Sequence, residues 1–139
     1  MNKCLYCNQE QERMALMVPI CDLSYSNVYL TLNQNFYGRC VVAFKVHKEE
    51  IFQLTDAEQT GFMNDISKVS KAIYELFRPG KLNYAIYGDG VPHLHCHIVP
   101  KEKDGFCWGK PFVLDGNNKI LSDKEAQELA RLIKEKILV

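Results

Sequence analysis

Apolar residues along the chain change their period several times, and each change marks an element. Ala15 to Asp22 is mostly apolar and carries Val18-Pro19-Ile20-Cys21, and the proline places this strand near a sheet edge. Val28-Tyr29-Leu30-Thr31-Leu32 is rich in β-formers, Asn33 to Gly38 reads as a loop, and Cys40-Val41-Val42-Ala43-Phe44 is continuously apolar like a buried strand. Together they predict an antiparallel meander. The pattern then turns helical. A short helix is expected over His47 to Leu54. Thr55-Asp56-Ala57-Glu58 is a capping-box sequence, and Phe62, Ile66, Val69, Ile73 and Phe77 recur as one apolar stripe. Arg78-Pro79-Gly80 stops that helix. Leu82 to Tyr87 predicts a further strand, Gly88-Asp89-Gly90-Val91-Pro92 a tight connection, and His93 to Val99 a last strand closed by Pro100. Asp104-Gly105 to Asp115-Gly116 is loop-like. Ser122-Asp123-Lys124-Glu125 repeats the capping box before a C-terminal amphipathic helix with Leu129, Ile133 and Ile137 on one face.

These elements add up to an α+β fold: a mainly antiparallel five-stranded sheet covered by one long and two shorter helices. No linker, repeat or low-complexity tract interrupts residues 1–139, so a single domain is expected. An apolar fraction of 47% is enough to fill a core. Lys and Arg number 17, as do Asp and Glu, so nothing in the charge suggests a nucleic-acid coat or a membrane-surface patch. No apolar run approaches the roughly 20 residues of a membrane span. The polar start Met1-Asn2-Lys3 does not resemble an export signal, which makes the cytoplasm the expected location. In that reducing compartment, paired cysteines among Cys4, Cys7, Cys21, Cys40, Cys96 and Cys107 more often bind metal than form disulfides.

The chain has only 4 histidines, and three of them alternate in His93-Leu94-His95-Cys96-His97. Alternation on a strand turns the imidazoles to one face and Leu94, Cys96 and Ile98 to the other, apolar and helix-packed, face. Half-buried imidazoles are costly unless each has a partner or a task. Two tasks fit: nucleophilic chemistry and metal ligation. His93 and His97 lie about 13 Å apart on an ideal strand, too far for one ion, but adjacent pairs are close enough to share one.

The run His93-Leu94-His95-Cys96-His97-Ile98-Val99-Pro100 resembles the signature of the histidine triad family, and the similarity extends upstream through Gly88, Asn83, Lys45-x-His47 and Gly38. With Gly-Asp-Gly-Val-Pro before the triad, it is similar to bacterial members described as diadenosine tetraphosphate hydrolase-like. The resemblance implies a HIT-like fold and a hydrolase or transferase that acts at the α-phosphate of a nucleoside phosphate derivative. His95 would attack phosphorus and carry a nucleotidyl intermediate, with His97 contacting the phosphate or leaving group. Such an imidazole is largely neutral at pH 7 and needs its second nitrogen held by an acceptor. Asn83 would lie near the phosphate, Gly88 and Gly90 would let the backbone approach it, and Thr31 stands where relatives bind ribose. A nucleotide-binding module with little turnover is the alternative.

The resemblance also implies a structural zinc. Relatives bind it through an N-terminal CxxC, the histidine after the third strand and the first triad histidine, which in this chain are Cys4, Cys7, His47 and His93. Four protein ligands close a tetrahedral site. Relatives pair as two-fold dimers, so a homodimer is expected, with a nucleotide as the substrate partner. The chain departs from the family pattern at Gly88-Asp89-Gly90, where many members carry Gly-Gln-Ser or Gly-Gln-Thr. An ionised Asp89 beside a phosphate is repulsive unless a cation or proton offsets it. Lys101 replaces the usual arginine after Pro100, and Leu30, Leu32 and Phe36 are candidates either for a base-binding wall or for the core.

Overall fold

The computed structural model describes residues 2–114 and 119–139. The second end of the loop expected to run to Asp115-Gly116 lies outside the described residues. Five strands form one antiparallel sheet: β1 (Met17–Asp22), β2 (Ser26–Thr31), β3 (Cys40–Phe44), β4 (Lys81–Ala85) and β5 (His95–Lys101), in the order β1-β2-β3-β5-β4. The expected meander is β1-β2-β3. Pro19 sits on the edge strand β1, where its missing N–H costs no ladder bond, and a register shift between Pro19 and Cys21 bulges that edge.

Helix α2 (Asp56–Phe77) starts at Thr55 with the expected reciprocal cap: Glu58 N–H donates to Thr55 Oγ1, and Thr55 N–H donates to the Glu58 carboxylate. It ends where Arg78 takes a left-handed conformation ahead of Pro79. Helix α3 (Asp123–Ile137) is capped in the same way by Ser122 and Glu125. Three expectations shift. His47 to Leu54 yields only a 3₁₀ turn at Ile51–Gln53, because Glu50 and Gln53 cap each other and Leu54 is already extended. A short helix α1 (Glu10–Met14), with no buried residue to betray it in the pattern, forms near the N-terminus. Strand β5 begins at His95 rather than His93. Leu94 instead spans two partners, accepting from Phe44 N–H and donating to Lys48 O.

One face of the sheet carries the main core. Val28, Leu30, Val42, Phe44, Cys96 and Ile98 meet the α2 stripe and the Leu129, Ile133 and Ile137 face of α3. The other face is covered by the N-terminal segment, where Leu5 and Tyr6 pack on Met17, Tyr29 and Ala43. It is also covered by a small cluster of Phe36, Val99, Cys107 and Phe112. Leu30 and Leu32 belong to the main core and Phe36 to the smaller one, and none of the three lines the histidine cleft. The period of β2 explains this: with Leu30 inward, Thr31 faces the opposite side.

Gly61 shows how tightly α2 sits. A methyl group built there would overlap the ring of Tyr25, whose backbone N–H is held by the buried Asp65 carboxylate at 2.9 Å. Alanine gains about 1 kcal/mol of helix propensity, but overpacking typically costs about 1–3 kcal/mol. The backbone anchor on Tyr25 keeps that ring from retreating. Gly61→Ala is thus expected to lower stability in urea unfolding, against the propensity trend.

Candidate active site and metal centre

The open sheet face places His95 opposite Ala43 and His97 opposite Val41. The small and the β-branched partner leave room for two adjacent imidazoles, whose ring centres are 5.0 Å apart. Both side chains line a cleft of about 620 Å³. Its floor is this strand face, with Thr31 and Val41. One wall comes from Leu5, Tyr6, Leu16 and Met17, and the other from Tyr87, Asp89 and Gly90. His95 Nδ1 lies 2.6 Å from the carbonyl oxygen of His93. That contact assigns the proton to Nδ1 and leaves the Nε2 lone pair free. Burial lowers the pKa of His95, partly opposed by the same carbonyl contact, so the ring is neutral at pH 7.

His97 is held neutral more firmly. Burial, then the nearby Arg39 charge and then His95 push its pKa down to about 3. Its Nδ1 is buried without a hydrogen-bond partner among the described residues. The unfolded chain takes up a proton on this ring near pH 6.5, whereas the folded chain resists it until about pH 3. Between these values the unfolded state binds more protons, so stability falls on acidification through that window. The loss amounts to several kcal/mol at the acid limit, because each tenfold difference in proton affinity is worth about 1.4 kcal/mol. His97→Gln should flatten the stability–pH slope between about pH 6 and 4 relative to the parent in chemical unfolding at stepped pH.

The other expected substrate residues separate. Thr31, Asp89 and Gly90 line the histidine cleft, whereas Gly88 lines a neighbouring surface hollow with Glu49 and Phe52. Thr31 Oγ1 already donates to backbone oxygens of Asn33 and Arg39 and accepts from Gln34. Asn83 pairs with Val99 on β5 and lines a different hollow with Lys101 and Trp108. Neither Gly88 nor Gly90 has a positive φ, and a Cβ at either would meet nothing, so the fold itself does not require glycine there. Lys101 does not reach the cleft: its buried Nζ donates to the carbonyls of Cys107 and Lys110, fastening the 102–110 loop. Cys96 faces the helices, and burial pushes its thiol up to about 11, which leaves it no part in nucleophilic chemistry.

Four donor side chains converge beside the cleft. Cys4, Cys7, His47 and His93 bring their donor atoms within 4.8 Å of one another and could hold a metal ion. His93 Nδ1 lies 3.4 Å from each sulfur and 3.1 Å from His47 Nδ1, and Cys7 Sγ lies 3.5 Å from His47 Nδ1. A tetrahedral ion with bonds of about 2.1 Å to nitrogen and 2.3 Å to sulfur separates its ligands by about 3.4–3.8 Å, close to this set. His93 Nε2 donates to the Phe44 carbonyl at 2.7 Å, which aims Nδ1 at the other donors. The residues fit a metal.

The same backbone links both sites. His93 supplies a donor to the metal set and its carbonyl to His95, and Tyr6, between the two cysteines, rests against both rings at 5.2 and 5.3 Å. Tyr6 carries no signal of its own in the sequence, though its place inside Cys4-x-x-Cys7 ties it to whatever those ligands hold. Arg39 is a second site residue that the sequence reading misses, and strand alternation is the signal that would find it. It precedes β3 by one residue and shares the face of Val41, the face that carries His95 and His97.

A sheet with two adjacent histidines in a cleft on one face and a cysteine–histidine cluster beside them defines a small histidine-bearing α+β class. The chain belongs to the HIT domain family, whose model matches residues 20–104. It is 31% identical over 85 residues to the protein called "Protein hit" of Bacillus subtilis, a stretch that is 56% of this chain and 59% of that protein. The chain thus spans about three-fifths of the curated relative it matches. The fold is similar to that of a histidine triad protein of Bradyrhizobium japonicum at 26% identity and a TM-score of 0.81, covering 92% of this chain and 96% of that one. A zinc-bound histidine triad family protein of Mycobacterium smegmatis aligns at 20% identity and a TM-score of 0.67, covering 98% and 94%. Among the described residues no helix is long and apolar enough to cross a membrane.

Proposed function

We propose that this protein cleaves a nucleoside phosphate derivative at its α-phosphate, with His95 as nucleophile. The observation that carries this reading is the 2.6 Å contact from His95 Nδ1 to the His93 carbonyl, which presents a neutral Nε2 lone pair to the cleft. Nε2 attacks phosphorus, a P–N bond forms, and the bond to the leaving group breaks with its electron pair. Water, or another acceptor, then attacks the nucleotidyl group and releases His95, so one hard displacement becomes two easier ones. His97 offers an N–H to a phosphate oxygen or to the departing group. Thr31, Asp89 and Gly90 border the same cleft, whereas Gly88 and Asn83 line neighbouring hollows. A diadenosine polyphosphate or a nucleoside phosphoramidate suits this chemistry, as in the diadenosine tetraphosphate hydrolase-like branch.

We assign zinc to the cysteine–histidine set, since two thiolates and two imidazoles in tetrahedral array suit that ion and a structural neighbour is named as zinc-bound. Bound there, it supplies structural cross-linking and no open coordination position. His93 keeps its ring orientation through Phe44, and His95 remains free. On the same reading the protein acts in the cytoplasm as a homodimer, without nucleic acid.

The deciding experiment follows hydrolysis of diadenosine tetraphosphate and of an adenosine phosphoramidate made chiral at phosphorus with sulfur and an oxygen isotope. Two in-line displacements retain configuration. Inversion, or turnover of neither substrate class, would remove His95 from the role of nucleophile. Binding of nucleotide without turnover across the panel would favour the regulatory module, for which Asp89 in the cleft is the supporting feature.

A further inference from the structure

Arg39 is 7% exposed and yet makes no side-chain hydrogen bond and no ion pair among the described residues; its Nε is buried and unpartnered. An arginine cannot shed its charge as a buried lysine can. A largely buried cation without a counter-charge is costly, so such a residue is unusual unless something from outside completes it. Its position says what. Arg39 lines the histidine cleft and, among the described residues, is its one permanently cationic lining residue, while Asp89 on the far wall is the one acidic residue, and the two do not form an ion pair. Its charge reaches His97, whose pKa it lowers, and Tyr6.

The loop before β3 is built to hold this side chain in place. Gln34 is 3% exposed; its Oε1 accepts from Gly38 N–H at 2.7 Å and its Nε2 donates to the Thr31 and Arg39 carbonyls. Gly38 has φ +92, and a Cβ there would press on the Phe77 ring at 2.9 Å, so the chain turns tightly into Arg39 only with glycine. The backbone on either side is thereby fixed, which lowers the ordering cost of a ligand contact.

We infer that Arg39 is the anion receptor of this cleft, a buried guanidinium left unpaired on the histidine face so that a phosphate oxygen of the nucleotide completes it. The inference rests on the reading of the cleft as a nucleotide site. The guanidinium also gives the cleft a cation that Lys101, spent on loop carbonyls, does not supply. Arg39 supplies the positive charge that offsets Asp89, and its planar fork can take two oxygens of one phosphate.

The test uses metal-loaded protein and compares the parent with Arg39→Met and Arg39→Lys. Calorimetric titrations with adenosine monophosphate, adenosine and inorganic pyrophosphate are run beside thermal melts. Arg39→Met should weaken adenosine monophosphate binding about 10- to 100-fold and leave adenosine within about twofold, because charge-assisted bonds to the phosphate are lost and nucleoside contacts are not. Arg39→Lys should fall between. Without ligand, the Arg39→Met melting midpoint should stay level or rise, since an unpaired buried charge is removed. An unchanged ratio of nucleotide to nucleoside affinity would overturn the proposal. So would unfolding of the methionine variant, which would mark Arg39 as structural. If the parent binds neither adenosine compound, the nucleotide reading fails, and pyrophosphate decides for Arg39: parent binding lost in Arg39→Met keeps the receptor, and any other result removes it.

Discussion

A His95→Gly protein should turn over diadenosine tetraphosphate or an adenosine phosphoramidate at about a thousandth of the parental rate or less, while binding adenosine monophosphate within about threefold. The asymmetry follows from what the imidazole does. On the proposed mechanism His95 contributes a lone pair that matters only as the P–N bond forms, whereas the charge and shape of the bound ground state are supplied by its surroundings. The ring is 5% exposed and packs between Tyr6 and His97, so its removal also leaves a cavity. His95→Asn retains much of the bulk and separates the two effects: both variants should lose turnover, and only the glycine variant should lose appreciable stability. Steady-state kinetics with a melt on each protein checks this. Turnover within tenfold of the parent in either variant would place the nucleophile elsewhere.

On the zinc assignment proposed above, Cys4→Ser should reduce zinc from one ion per chain to none and lower the melting midpoint by about 10 °C or more. A serine hydroxyl is a poor replacement for a thiolate, and three remaining donors leave an open, weaker site. The consequence travels by a short route. Cys4 is buried at 6% exposure and anchors the N-terminal segment, which lies over the sheet face through Leu5 and Tyr6. Without the ion, Cys4, Cys7, His47 and His93 hold one another only by thiol and imidazole contacts of 3.1–3.5 Å. The segment should then loosen, Tyr6 should leave His95, and the cleft should lose a wall. Metal analysis, a thermal melt and limited proteolysis near Arg13 read the three steps separately. Zinc at full occupancy in Cys4→Ser, or parent-like protease resistance in metal-free protein, would show that the cluster does not pin the segment.

Much of the fold is legible in the sequence because it depends on neighbours along the chain. Thr55-x-x-Glu58 and Ser122-x-x-Glu125 are local devices, and both cap their helices as the spacing requires. Alternation in His93 to His97 decides that Leu94, Cys96 and Ile98 point to the helices whatever strand lies beside them. Two elements are hidden for the same reason in reverse. Helix α1 buries nothing, so it leaves no apolar stripe to read, and the 3₁₀ turn at Ile51–Gln53 is settled by a side-chain cap that outweighs a weak helical pattern.

The amino-acid order alone determined the five strands, the two long helices, the face on which the imidazoles lie and the residue types available for phosphorus chemistry. Those features follow from backbone periodicity and local capping. Tertiary structure decided which distant residues meet. Pairing β3 with β5 set Val41 and Ala43 under the histidines and swung Arg39 to their face, with no side-chain partner among the described residues. Packing of the N-terminal segment laid Tyr6 on His95, and Asn83 fell into a separate hollow because its register on β5 is with Val99. Long-range register and burial, which no local pattern encodes, are the physical reason that the contents of the cleft became legible only in three dimensions.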